Sequence, residues 1–155
     1  MTDVHFYHLE RQTLEYVLPV LLERSLQRGW RAVVQTVSEE RMNAIDSLLW
    51  TYSQESFLAH GTVREGDAEM QPVYLTTGTE NPNGAAVRFF VEGSAVLPVL
   101  ASTDAIRYER ALLIFDGRDG EQLAGARGQW KELKAAGHGV TYWQQNDDGR
   151  WEKKA

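Results

Sequence analysis

The sequence predicts an α/β protein, a three-layer α/β/α sandwich built on a mainly parallel sheet. Short runs of β-branched and aromatic residues alternate with amphipathic helical segments near both ends of the chain. Strands that alternate with helices pair in parallel through right-handed crossovers. The 155 residues, 43% of them hydrophobic, suit one domain with one core. Usual sheet sizes then give about five to seven strands.

The chain begins with a strand and an amphipathic helix. Residues 4–9 (VHFYHL) are rich in β-branched and aromatic side chains, which favour a strand. Residues 14–28 carry apolar side chains at helical spacing and are followed by Gly29, a common helix terminator. Pro19 is unfavourable inside this helix, which therefore either bends there or begins near Leu18.

A second strand and a second helix follow. Residues 31–36 (RAVVQT) form the strand, and Ser38 is a candidate N-cap for the helix after it. That helix has an apolar side formed by Met42, Ile45, Leu48 and Leu49. Residues 51–70 are polar and irregular.

The second half of the chain contains three short apolar runs of strand type, a long helix and a last strand. The runs are residues 72–77, 86–91 and 111–115, with a strong turn signal at 81–84 between the first two. We expect a helix over 119–136, a strand over 139–145 and a turn over 146–149. The chain is thus a single domain, 1–155, in which residues from about 146 to 155 form a short charged C-terminal tail.

Composition excludes several classes of protein. There is no cysteine, so disulfides and thiolate metal sites are excluded and a cytoplasmic location is expected. No signal peptide and no apolar stretch long enough to span a membrane is recognisable. The net charge of −6 argues against a protein that coats nucleic acid by itself. All four lysines follow residue 117, which leaves room for a local basic site there.

The first strand-to-helix turn lacks a phosphate-binding loop. In nucleotide-binding α/β domains this turn is rich in glycine, whereas residues 8–12 (HLERQ) contain none and Glu10 would repel a phosphate. The sheet is therefore predicted to be Rossmann-like but without a nucleotide-binding loop. No cofactor is expected.

The four histidines and Asp116 are candidate catalytic or metal-binding groups. His5 and His8 lie three apart on a strand, so they face opposite sides of the sheet and cannot share a metal. His60 and His138 are isolated in sequence, and Asp116 follows a strand where a turn is also expected. We therefore predict neither a metal site nor a catalytic site at these residues. The alternative is a small α/β hydrolase or nucleotide-dependent enzyme that uses Asp116 and His138.

Several motifs together resemble the chi subunit family of bacterial DNA polymerase III. Their order and spacing extend over nearly the whole chain. They are FYHL at 6–9, GWR at 29–31, DxxLWTY at 46–52, ESFLAH at 55–60, NPN at 81–83, ARxxWK at 126–131 and YWQQ at 142–145.

This resemblance implies a non-catalytic accessory subunit of the clamp-loader complex. It implies two partners, the psi subunit and the acidic C-terminal tail of single-stranded-DNA-binding protein, so that contact with DNA would be indirect. It also implies a protein that is monomeric when alone.

One helix offers a site for such a tail. Arg127, Trp130 and Lys131 stand at i, i+3 and i+4 on one helical face, and Lys134 continues that face. A guanidinium, an ammonium and an aromatic wall suit a peptide that carries Asp residues, a terminal carboxylate and a final Phe. The alternative is that Trp130 belongs to the core and the charged residues are simply solvated.

A second candidate partner surface surrounds the end of the second helix. Trp50 ends that helix, and Phe57 and His60 follow it. In the family this region lies close to partner surfaces. An aromatic side chain at a helix end can equally be an ordinary core anchor.

Overall fold

A computed structural model describes residues 2–51, 60–102 and 108–155 of the chain. Among these residues the sheet has eight strands: β1 (Asp3–Leu9), β2 (Ala32–Gln35), β3 (His60–Gly61), β4 (Val73–Thr76), β5 (Val87–Val91), β6 (Arg110–Asp116), β7 (Val140–Gln145) and β8 (Trp151–Lys153). The helices are α1 (Leu14–Gln27), α2 (Glu39–Thr51), α3 (Leu97–Leu100) and α4 (Gly120–Ala135), and two 3-10 turns lie at Val63–Glu65 and Ala68–Met70.

The sheet confirms the predicted mainly parallel α/β architecture. Its strand order is β3-β4-β2-β5-β6-β1-β7-β8, and every neighbouring pair is parallel except β7 and β8. β1 lies between β6 and β7, so that His8 stands beside Phe115 on one side and Gln144 on the other.

Helices cover the two faces of the sheet. Buried side chains of α1 and α2 pack into one hydrophobic cluster, and those of α3 and α4 pack into a second cluster on the opposite face. Burial of these two apolar faces is what holds the three layers together.

Local sequence explains where the helices begin and end. Ser38 caps α2 as predicted, because its hydroxyl accepts the amide proton of Arg41 at 3.2 Å. The carboxylate of Asp119 caps α4 by accepting the amides of Glu121 and Gln122. α1 begins at Leu14 and continues through Pro19, whose ring is buried, so the expected late start near Leu18 is wrong. Packing of the apolar face outweighs the hydrogen bond that proline removes.

Three short elements were not predicted. β3 and α3 are two and four residues long, below the length at which hydrophobic periodicity is recognisable. β8 lies in the segment that we expected to be only a charged tail. It pairs antiparallel with β7, and a backbone hydrogen bond from Tyr142 to Ala155 extends this pairing to the last residue. The charged segment 146–155 therefore contributes a strand, Trp151–Lys153, to the sheet.

A buried arginine fixes the loop between β4 and β5. Arg88 is fully buried, and its guanidinium donates to the side chains of Gln35 and Tyr108 and to backbone carbonyls of Gly78 and Glu80. These acceptors are neutral, so hydrogen bonds compensate much of the cost of its burial.

Candidate functional site

The first strand-to-helix turn, where a related fold would bind phosphate, is occupied by a side chain of the protein itself. The amides of Glu10, Arg11 and Gln12 all point to the side-chain oxygen of Gln145, at 3.3, 3.2 and 3.3 Å. The carboxylate of Glu10 is in turn held by Gln144 at 2.7 Å. The converging amides that could have held an anion are thus already hydrogen-bonded within the fold.

The candidate catalytic pair does not form a site. Asp116 ends β6 at the beginning of α4, whereas His138 follows the other end of that helix. Sixteen helical residues separate the two ends by about 24 Å. Burial opposes ionisation of Asp116, but hydrogen bonds from Arg118 outweigh it and hold the pKa of the carboxyl below its usual range. Asp116 is therefore an ionised turn carboxylate, and His138 is too distant to act with it.

The histidines lie as predicted on opposite faces of β1. His5 contacts Trp143, and His8 contacts Tyr142, the preceding residue of β7. In the part of the chain that the structure describes, no group of three or more His, Cys, Asp or Glu residues could hold a metal ion. Within the same residues, no helix has the length and hydrophobicity needed to cross a bilayer.

The outer face of α4 forms an open pocket with β7. The pocket has a volume of about 350 Å³ and is lined by Arg127, Trp130, Lys131, Tyr142 and Ala155. We refer to it as the α4 pocket. Three of the four residues predicted from helical spacing thus lie together around one cavity.

Trp130 belongs to both the core and the pocket. Its ring meets Phe6 edge to face at 5.3 Å on the inner side and Tyr142 at 5.7 Å on the outer side. It also packs partly buried against the cluster that contains Ala126 and Leu133. The two alternatives considered for Trp130 are therefore compatible, because a ring fixed by the core can present its outer edge to a ligand.

Lys134 lies outside the lining of the pocket. Its ammonium stands over the ring of Trp130, 5.5 Å from the ring centre. Seven residues separate it from Arg127, which places it about 10 Å further along the helix axis. The sequence correctly placed it on the same face but could not show that the cavity ends before it.

Tyr142 is a wall of the pocket that the sequence reasoning missed. Its hydroxyl lies 2.6 Å from His8 Nδ1, and the other ring nitrogen of His8 lies 3.4 Å from the Glu10 carboxylate. That carboxylate favours the proton on Nε2, so Nδ1 accepts the hydroxyl proton of Tyr142. The motif YWQQ at 142–145 was a signal for this residue, but it did not indicate that β7 faces α4.

Two side chains with positive charge, Arg127 and Lys131, line the pocket. Among the described residues, neither Arg127 nor Lys131 forms an ion pair. Burial lowers the pKa of His8. The charge of Glu10 opposes this shift, and the charge of Arg127 adds to it. Burial raises the pKa of Tyr142, which Arg127 opposes. The pocket therefore combines two cations that form no ion pair within the described residues with the aromatic side chains of Trp130 and Tyr142.

The second candidate surface contains an exposed tryptophan. Trp50 is 54% exposed, and its ring stands 4.7 Å from that of His60. His60 is buried, and its Nε2 lies 3.0 Å from an Asp46 carboxylate oxygen. The ring of Trp50 therefore packs against a buried histidine, but Trp50 itself is too exposed to be a core anchor. Phe57, the third residue predicted here, lies outside the described residues.

Comparisons with known proteins agree with the motifs. A family model described as DNA polymerase III chi subunit, HolC, matches residues 1–141. The probable DNA polymerase III subunit chi of Rickettsia prowazekii (strain Madrid E) is 25% identical over 117 residues, which are 75% of this chain and 71% of that relative.

Proposed function

Since this chain belongs to the DNA polymerase III chi subunit family, we propose that it is a non-catalytic accessory subunit that connects the clamp loader to single-stranded-DNA-binding protein. In this proposal the α4 pocket binds the acidic C-terminal tail of that protein. The psi subunit provides the connection to the clamp loader.

The observation that carries the proposal is the composition of the α4 pocket. Two cations without ion pairs among the described residues, Arg127 and Lys131, flank a cavity with walls of Trp130 and Tyr142. Carboxylates of an acidic peptide would accept hydrogen bonds from Arg127, whose planar guanidinium can bind a carboxylate through two of them. A terminal Phe side chain would fill the aromatic part of the cavity and gain from burial of its ring.

The experiment is calorimetric titration with a peptide that copies the acidic tail, with and without its last Phe. We expect the complete peptide to bind and the shortened peptide to bind at least about tenfold more weakly, because burying a Phe ring contributes about 1.5–3 kcal/mol. A peptide of the same composition in scrambled order is the control. Equal binding of the complete, shortened and scrambled peptides would show only general charge attraction and would contradict the proposal.

The proposed psi surface includes Trp50. A half-exposed indole supported by a buried histidine offers a rigid apolar contact, which suits a protein interface. Co-expression with psi should give a one-to-one complex in size-exclusion chromatography, and Trp50→Ala should weaken it. Tyr16→Ala, which removes an equally exposed ring from α1, is the matched control. Separate elution of the two wild-type proteins at micromolar concentration would contradict this link.

A further inference from the structure

Among the described residues, one end of the sheet is only partly covered by helices. On the side of α1 and α2, α1 packs mainly against β2 and β6, and α2 packs against β3 and β4. The β7–β8 end therefore lies beside α1 rather than under it. Because side chains alternate along strands, this side presents Trp143 of β7, His5 of β1, and Trp151 and Lys153 of β8. We call these four residues the open face.

The open face contains two partly buried aromatic rings, those of Trp143 and His5, that are nearly coplanar, and the ring of Tyr7 lies parallel to that of Trp143. Trp143 Nε1 donates a hydrogen bond to His5 Nδ1 at 2.9 Å, and the two ring planes differ by only 10°. Donor and acceptor both lie in the planes of their rings, so the rings are side by side in one plane. Trp151 stands beside them, with its ring edge to face against Tyr7 at 4.9 Å.

Cations surround this surface. A groove of about 390 Å³ separates α1 from the start of β8, and Arg24 and Arg150 both line it. Lys153 is the cross-strand neighbour of Trp143. Among the described residues none of these three cations forms an ion pair.

Nearby cations also affect the pKa of His5. Burial, together with the charges of Arg110 and Lys153, lowers the pKa of His5 to about 4, and Asp3 opposes this shift. This local surplus of cations occurs in a chain whose net charge is −6. Arg150 and Lys153 lie close together in sequence, whereas Arg24 and Arg110 join them only through the fold.

We propose that the open face binds single-stranded nucleic acid. Arg24, Arg150 and Lys153 would contact the phosphates, and unpaired bases would stack on the Trp143–His5 plane and beside Trp151. A flat, sequence-tolerant aromatic surface bordered by cations is the arrangement that binds single strands. An acidic peptide would gain from these cations but not from the ring plane, because the faces of aromatic rings carry negative partial charge and do not attract carboxylates. This surface lies on the opposite side of β7 from the α4 pocket.

The test is fluorescence anisotropy of the full chain with a labelled oligothymidylate of about 12 nucleotides. Three phosphate contacts on a single strand predict that raising salt from about 50 to about 200 mM weakens binding about 20-fold. The double variant Arg24→Glu with Arg150→Glu should bind at least about tenfold more weakly than wild type at the lower salt. The matched control is Arg64→Glu with Arg118→Glu, which changes net charge equally but lies away from the open face.

A strand of the same length without bases separates stacking from charge. It should bind at least about fivefold more weakly than oligothymidylate, because each base that stacks on an aromatic ring contributes to the binding free energy. Absence of wild-type binding at the lower salt, equal loss in the control variant, or equal binding of the strand without bases would each overturn the proposal. An acidic peptide should bind the Arg24/Arg150 variant as tightly as it binds wild type. If that variant lost the peptide and kept the oligonucleotide, the open face would be a peptide site instead.

Discussion

Replacing Arg127 by alanine tests the α4 pocket most directly. Arg127 lines the cavity, is exposed, and has no ion-pair partner among the described residues. The substitution therefore removes the proposed ligand contact without breaking an ion pair within the described residues. Alanine is also the best helix former, so α4 should fold as before.

The expected size of the effect follows from the type of contact. A hydrogen bond to a charged group contributes about 1.5–3 kcal/mol, so the dissociation constant for the acidic peptide should rise about ten- to hundredfold. Lys131→Ala should cost less, because an exposed ammonium is a screened charge without two-pronged geometry. Lys134→Ala should have the smallest effect, since its ammonium lies over Trp130 rather than in the cavity.

Calorimetry at two salt concentrations measures these changes, and circular dichroism checks the fold. Added salt should weaken binding without abolishing it, because burial of the terminal Phe is not electrostatic. Arg118→Ala is the matched control, since it removes one arginine near the start of α4 but outside the cavity. If folded Arg127→Ala bound the peptide as tightly as wild type, the tail site would lie elsewhere and the assignment of this pocket would be wrong.

Three further predictions concern the framework around both surfaces. Arg88→Met should lower the free energy of unfolding by more than about 3 kcal/mol, measured by urea titration, because several buried acceptors lose their donor at about 1–3 kcal/mol each. Lowering the pH from 6.5 to 4 should destabilise the fold, because His5 has a folded pKa of about 4, so the unfolded chain binds more protons in this window. His5→Gln should reduce that pH dependence, and an unchanged slope would assign it to other groups. Gly117→Ala should lower thermal stability and weaken peptide binding, because a Cβ there would lie 1.7 Å from His8 Nε2 and would displace the partner of Tyr142. Unchanged melting and binding would show that the His8 ring can move freely.

The sequence predicted the fold well where a periodic apolar pattern extends over a segment long enough to recognise. Alternating strands and helices indicated parallel pairing, and the structure confirms it for every strand pair except β7 and β8. β8 was missed because its three residues lie in a segment rich in charge, and its stability comes from pairing with β7 rather than from its own propensity. Arg88 was missed because nothing in a strand sequence shows that acceptors from three other segments surround it.

The α4 pocket was predicted only as far as one helix can specify a site. Spacing of three and four residues placed Arg127, Trp130 and Lys131 on a common face. Tyr142 joins them because β7 pairs with β1 next to α4, which is a long-range contact. The open face also depends on pairing between strands, because β8 must pair with β7 before Trp151 and Lys153 lie beside the ring of Trp143.

Two consecutive residues of β7 serve the two surfaces. Tyr142 points into the α4 pocket, and Trp143 forms the centre of the open face. Successive side chains of a strand point to opposite sides of the sheet, so a peptide in the pocket would not obstruct a strand on the open face. One route between the two ligands runs through the rings that β1 supplies as partners, His8 for Tyr142 and His5 for Trp143. A second route runs through β8, whose Lys153 lies two residues before Ala155 of the pocket. Since these four side chains are fixed by hydrogen bonds within the sheet, the two surfaces should bind independently, and the protein could hold an acidic tail and a single strand at the same time.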